Sequence, residues 1–250
     1  MSDSFTMPTE IIELPSKGLV YPKENPLSSG KIEMRYMSAK DEDILTNSNF
    51  IQQGTVFDRL FQSMIVSKIN YDDLISGDKN AIVIAARILG YGKNLPLKMA
   101  HPITGVEEEI VVDLTTLKEK QIDYSVFNNG NEISYSLPNT SNKVTFKILT
   151  HADEKAISKD IAAMKKANIS SEMTLRLKKQ ILSVNGDSDK KTISHFVDNG
   201  LLAMDSIALR TYMKEISPDL DMSFTFEGSD GYIQEGVTLP VTLSFFYPTV

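Results

Sequence analysis

Two stretches of the chain share one pattern of apolar and polar positions. Lys31 to Leu45 and Lys143 to Ile157 each begin with a basic residue and continue with alternating apolar side chains. Each then places a Ser or Thr three residues before an Asp. The alternation is typical of a half-buried strand, and the hydroxyl-to-carboxylate spacing is typical of a capping box at a helix start. Each stretch therefore predicts a strand that runs directly into a helix.

A second pair of segments repeats further along the chain. His101–Gly105 and Glu227–Gly231 are turn-forming sequences, and each lies between two short segments rich in apolar residues. Such a pattern predicts a hairpin with its turn at the tip. Because both pairs occur in the same order, the sequence predicts an α+β fold made of two tandem related modules, each with a strand, helices and a β-hairpin.

The chain then divides into four parts. Prolines at positions 8, 15, 22 and 26 favour an extended backbone with turns near the start. The predicted parts are an extended N-terminal arm at 1–30, a first α+β module at 31–114, a connection at 115–131 and a second α+β module at 132–250.

Helical spacing of apolar residues predicts the remaining elements. An apolar stripe from Phe57 to Ile65 marks one helix, and Asp78 is expected to cap another that ends near Gly90. In the second module, helices are expected at about 151–167, 171–184, 190–199 and 204–215. The last hairpin is expected to include Phe245 and Phe246, which would then point to opposite faces of a strand. One of them should therefore contact the other module or another protein.

Composition narrows the function classes. The chain of 250 residues has 41% apolar and 24% charged residues, and its formal charge is −7. This acidity disfavours general nucleic-acid binding, because neutralising phosphates needs a basic surface. Cysteine is absent, which excludes disulfides and thiolate-bound metals. The start of the chain lacks the pattern of a secretion signal, and the longest apolar run, Ala81 to Ala86, is too short to cross a membrane.

The pattern of residues gives little indication of a catalytic site. His101, His151 and His195 are far apart and form no pair at metal-ligand spacing. Glu107–Glu109 alternate faces on a predicted strand, and Asp41–Asp43 lie in a first helical turn, where negative charge is favourable. The sequence predicts no catalytic residue, no metal and no cofactor, and hence a protein that is not an enzyme.

The arm is the strongest candidate for partner contacts. Ile11 to Pro22 carries many large apolar residues for a free tail, so it needs a surface, either its own module or a partner. If the surface belongs to a partner, deletion of residues 1–22 should abolish binding and leave thermal unfolding nearly unchanged. The predicted partner-binding residues lie in the arm and at the chain end: Leu14, Pro15, Lys17, Gly18, Leu19, Tyr21, Pro22, Phe245, Phe246, Tyr247 and Pro248.

Several segments resemble a known family. Leu14–Pro22 and Gly30–Glu42 look like the opening of the T-even-type bacteriophage baseplate hub assembly proteins, and Ala86–Gly92 and Leu239–Pro248 are also similar. Relatives often carry Cys-x-x-Cys at the hairpin tips, which suggests small metal sites there. This chain has His101–Thr104 and Gly228–Gly231 instead, so turn geometry would have to hold the loops.

The resemblance implies a noncatalytic assembly factor or adaptor of a baseplate hub. Its partners would be phage hub or tail proteins, and it would act in the host cytoplasm during tail assembly. One alternative is a permanent structural component of the virion baseplate. A further alternative is a cell-wall hydrolase, which would need a carboxyl group of raised pKa in a cleft.

Overall fold

A computed structural model of the protein describes residues 7–166 and 171–246. It combines helices with small antiparallel sheets, which confirms the predicted α+β class. The strands are β1 (Thr9–Glu13), β2 (Lys31–Arg35), β3 (Asn94–Ala100), β4 (Glu107–Asp113), β5 (Ile133–Ser136), β6 (Lys143–Phe146), β7 (Ile181–Val184), β8 (Ser223–Glu227) and β9 (Ile233–Thr238). The helices are α1 (Ala39–Thr46), α2 (Ser48–Gln52), α3 (Val56–Met64), α4 (Ser76–Tyr91), α5 (His151–Lys166), α6 (Glu172–Gln180), α7 (Lys190–His195), α8 (Ala203–Ile216) and α9 (Leu243–Phe246).

The strand before each capped helix has the same kind of neighbours in both halves. β2 pairs antiparallel with β1, and its Met34 also bridges to Ile65, the residue that follows α3. β6 pairs antiparallel with β5, and its Phe146 lies opposite Ile181, the residue that follows α6. In both halves, the residue that follows a helix therefore pairs with the strand before the capped helix, on the edge that the first partner strand leaves free.

The two predicted helix starts are confirmed and share one further contact. The Ser38 amide and hydroxyl both donate to Asp41, and the Thr150 amide and hydroxyl both donate to Asp153. A basic residue, the last of β2 in one half and the first after β6 in the other, also binds the capping carboxylate. Arg35 lies 2.7 Å from Asp41, and Lys147, at the matching sequence position, lies 2.7 Å from Asp153. These shared contacts support the predicted duplication, which stays a prediction.

The two halves pack into one hydrophobic core. Buried residues from both halves belong to a single cluster, and the ring of Phe246 lies 5.3 Å from that of Phe57 and 6.0 Å from that of Phe61. The last described helix, α9, thus packs on α3 of the first half. The first half and the last described helix are therefore held by the same core.

Two predicted elements are wrong in type. The helix expected over 171–184 ends at Gln180, and Ile181–Val184 forms β7, because Ile181 and Val184 fill buried positions beside β6. Phe245 and Phe246 lie on the short helix α9 and not on a strand, and both are buried. The argument that they must face opposite layers therefore fails. Tyr247 and Pro248 lie outside the described residues.

The role expected for Asp78 is also wrong. Ile75 is the residue before the first turn of α4, so Asp78 lies inside that turn, at its third position. Its side chain reaches the loop after β1, where it accepts hydrogen bonds from Ser16. Asp205, at the third position of α8, makes the matching contact with Asn139 and Thr140 in the loop after β5.

Candidate partner-binding surfaces

The structure divides the arm residues into a buried and an exposed set. Leu14, Pro15, Gly18 and Tyr21 are buried against the chain's own core. Lys17, Leu19 and Pro22 are exposed, and Leu19 retains 44% of its accessible surface. The part of the arm that another protein can contact is therefore the exposed set, and the buried set holds the arm in place.

A tight turn brings the arm back along the chain. Gly18 has φ of +78°, and a Cβ atom there would lie 2.3 Å from the Ser28 carbonyl oxygen. Any larger residue would have to displace that backbone. The Leu14 amide also donates to the Gly30 carbonyl at 2.8 Å, which continues the pairing of β1 with β2.

Buried polar contacts fasten the arm to α4. The Asp78 carboxylate accepts from the Ser16 amide at 2.9 Å, from the Ser16 hydroxyl at 2.7 Å and from the Tyr21 hydroxyl at 2.5 Å. Burial raises the pKa of Asp78, and burial together with the adjacent carboxylate raises the pKa of Tyr21. Both groups are thus held in a largely buried network.

Two adjoining cavities run along the exposed part of the arm. Their volumes are about 630 and 490 Å³, and both are lined by Tyr21, Pro22, Asn129 and Gly130. We call them together the arm groove. Its further lining residues include Leu19, Val20, Asn25, Asp73, Ile75, Tyr124, Phe127, Asn131, Glu132, Lys147 and Leu182. Both halves of the chain therefore contribute walls.

Polar contacts fix one end of the arm groove. Tyr124 donates a hydrogen bond to the Pro15 carbonyl at 2.9 Å, and Lys17 lies 2.6 Å from the Glu119 carboxylate. Partial burial by itself would lower the pKa of Lys17. The hydrogen bond to Glu119 and the charge of that carboxylate outweigh burial, so the pKa of Lys17 is raised. The arm is therefore held by Glu119 and Tyr124 as well as by α4.

The three histidines do not come together. His101 is buried at the tip of the β3–β4 hairpin, His151 lies in the first turn of α5 and His195 ends α7. Within residues 7–166 and 171–246, no three His, Asp or Glu side chains are placed to hold a metal ion.

None of the helices in these ranges combines the length and the apolar character needed to cross a bilayer.

Sequence reasoning missed polar contacts between the halves at two places, one around His101 and one around His151. His101 Nε2 lies 3.3 Å from Asp230, which joins the two hairpin tips. The Lys79 ammonium donates to His151 Nδ1 at 2.9 Å, and His151 Nε2 lies 3.2 Å from Asp58. Neither pair is close in sequence, so no local spacing could have indicated them.

One family matches nearly the whole chain. Residues 7–246 match the family described as T4 bacteriophage base plate protein. The chain therefore belongs to this family, which confirms the resemblance seen in the arm and at the chain end. No curated protein and no solved structure matched the chain at a significant level.

Proposed function

We propose that this baseplate protein is a noncatalytic assembly factor or adaptor of the baseplate hub. It binds a phage hub or tail protein through the arm groove, in the host cytoplasm during tail assembly. The observation that carries this proposal is the arm groove itself, which presents Leu19 and Pro22 beside two adjoining cavities.

The composition of the arm groove suits a polypeptide. Leu19, Pro22 and Leu182 offer apolar contacts for partner side chains. The exposed amide side chain of Asn129 can donate to and accept from a partner's main chain. Apolar anchors beside groups that satisfy main-chain hydrogen bonds are the usual parts of a peptide-binding surface.

The groove is formed by elements that hold each other rigidly. The Ser16, Tyr21 and Asp78 contacts fix the arm, and the salt bridge from Lys147 to Asp153 fixes the opposite wall. A surface of this kind loses little conformational entropy when a partner binds. We therefore expect the partner to dock without rearrangement of the arm.

One observation favours an enzyme as the second candidate. Asp219 lines a cavity of about 600 Å³, and burial raises the pKa of its carboxyl group. However, Asp219 Oδ1 accepts from Asn80 at 2.8 Å and from the Leu220 amide at 2.8 Å. Through the hydrogen bond from Asn80, Asp219 has a structural role, because it links the two halves.

Complementation of a phage that carries an amber codon in this gene tests both candidates. The proposal expects Asp219→Asn to support plaque formation and Leu19→Asp to fail, with Val66→Asp as the control of similar exposure (47%). Loss of plaques with Asp219→Asn, at unchanged thermal stability, would favour catalysis. Mass spectrometry of purified particles then separates an assembly factor, which is missing from them, from a permanent baseplate component.

A further inference from the structure

The two hairpins are hydrogen-bonded to each other at their tips and near their base, and β4 and β8 lie side by side without sharing sheet hydrogen bonds. At the tips, the Ser229 amide donates to Glu108 at 2.8 Å, next to the contact of His101 with Asp230. At the base, the Lys120 amide donates to the Asp219 carbonyl at 2.9 Å. In the described part of the chain, β4 is hydrogen-bonded in a sheet only to β3, and β8 only to β9.

A cavity of about 600 Å³ lies between these two strands. Five successive residues of β4, Glu109–Asp113, line it together with Thr116. From β8 and its end it is lined by Ser223, Phe224, Thr225 and Glu227. We call this cavity the hairpin slot. Strand edges carry main-chain donors and acceptors that can pair with another extended chain.

The outer face of the hairpins exposes apolar side chains beside the hairpin slot. Val111, in the slot, retains 67% of its accessible surface, and Ile233, opposite Glu227 in the β8–β9 pair, retains 62%. Val106 and Ile103, near the tip of the first hairpin, are also exposed. Val111 is therefore an exposed apolar group that a partner in the hairpin slot can contact.

The same face carries a surplus of negative charge. Glu109, Val111 and Asp113 follow at every second position of β4 and so share one face. Glu107 and Glu227 add two further carboxylates, whereas Lys98 and Lys93 bind Glu109 at 3.0 Å and Asp113 at 2.7 Å. Along this face of β4, an acidic residue (Glu109), an apolar residue (Val111) and a second acidic residue (Asp113) therefore follow one another.

We propose that the hairpin slot binds an extended segment of another protein with basic, apolar and basic residues at every second position. Its main chain pairs with a strand edge in the slot. Its basic side chains lie beside Glu109, Asp113 and Glu227, and its apolar side chain lies on Val111. Opposite charges and apolar pairs on neighbouring strands stabilise a sheet. This surface is separate from the arm groove and does not depend on it.

A labelled synthetic peptide tests the proposal on the full-length chain. The probe has Lys, Val and Lys at alternate positions with Thr between them, and the comparison peptide replaces each Lys with Glu. Fluorescence anisotropy should show binding of the Lys peptide and none of the Glu peptide. The double variant Glu109→Lys and Glu227→Lys should weaken binding about tenfold or more, and Val111→Ser should weaken it too. Asp43→Lys, on exposed α1, is the charge control and should leave binding unchanged.

Hydrogen exchange locates the bound peptide independently of the variants. Amides of residues 109–113 and 223–227 should exchange more slowly with the Lys peptide present. Equal binding of the two peptides, equal binding by the double variant and by Asp43→Lys, or protection confined to other residues would each overturn the proposal. Thermal unfolding of every variant should match the parent chain, so that loss of fold is not mistaken for loss of binding.

Discussion

The Tyr21 hydroxyl donates a hydrogen bond of 2.5 Å to the buried carboxylate of Asp78. It also accepts one from the Ile75 amide at 3.2 Å, at the start of α4. One side chain of the arm therefore binds both the first turn of a central helix and the residue before it. Through this contact the arm becomes part of the fold.

Removing the Tyr21 hydroxyl is expected to weaken the fold. Tyr21→Phe leaves the Ile75 amide without this acceptor and Asp78 without one donor, which should lower the free energy of unfolding by about 1–3 kcal/mol. Urea denaturation measures this loss. Tyr36→Phe is the control, because its hydroxyl makes an exposed 3.3 Å contact with Glu10, and it should change stability by less than about 0.5 kcal/mol.

The two leucines of the arm should behave differently. Leu14 is fully buried, so Leu14→Ala should lower the free energy of unfolding by about 2–5 kcal/mol. Leu19→Ala removes an exposed side chain and should cost less than about 0.5 kcal/mol. Equal effects in urea denaturation would contradict the division of the arm into a buried and an exposed set.

Deletion of residues 1–22 should therefore lower the melting temperature. This reverses the expectation drawn for an arm that lies on a partner, because the deletion removes β1, Leu14 and Tyr21 from the core. Point variants of exposed residues are the better test of binding.

The halves should not fold independently. Phe246 packs against Phe57 and Phe61, so Phe246→Ala should lower the free energy of unfolding of the whole chain by about 3–5 kcal/mol. A fragment of residues 1–114 should lack a cooperative thermal transition, because it lacks α9. A stable, cooperatively melting fragment would show that the halves are separate domains.

Stability should decrease in mild acid because of His151. Burial and the nearby Lys79 ammonium lower the pKa of His151 from its ordinary value of 6.5. A histidine with a lowered pKa in the folded state stabilises the fold above its unfolded pKa, and this contribution is lost as pH falls through the folded value. The free energy of unfolding should thus decrease as pH drops below about 6.5. In His151→Gln this part of the pH dependence should disappear; an unchanged pH profile would show that His151 does not titrate as described.

Local patterns in the sequence were enough to predict the helix starts and hairpins. Ser38 with Asp41, and Thr150 with Asp153, lie three residues apart, so their contacts follow from spacing alone. The turns at His101–Gly105 and Glu227–Gly231 are similarly local. Such features need no information about the rest of the fold.

Features that depend on distant contacts could not be predicted in this way. From its position before an apolar helical segment, Asp78 could be a helix cap. Only the fold shows that its carboxylate instead accepts hydrogen bonds from Ser16 and Tyr21 of the arm. The apolar residues Phe245 and Phe246 fit a short helix as well as a strand, and packing against Phe57 decides between them. The arm groove is likewise built by both halves, so no single segment indicates it.

Co-purification from infected cells tests the central claim most directly, namely that the arm groove binds a baseplate protein. Tagged parent chain, Leu19→Asp and Val66→Asp are compared at equal thermal stability, and phage proteins in each eluate are quantified by mass spectrometry. The account predicts one baseplate hub or tail protein enriched with the parent chain and with Val66→Asp, and reduced about tenfold or more with Leu19→Asp. Equal recovery of that protein with Leu19→Asp would contradict it.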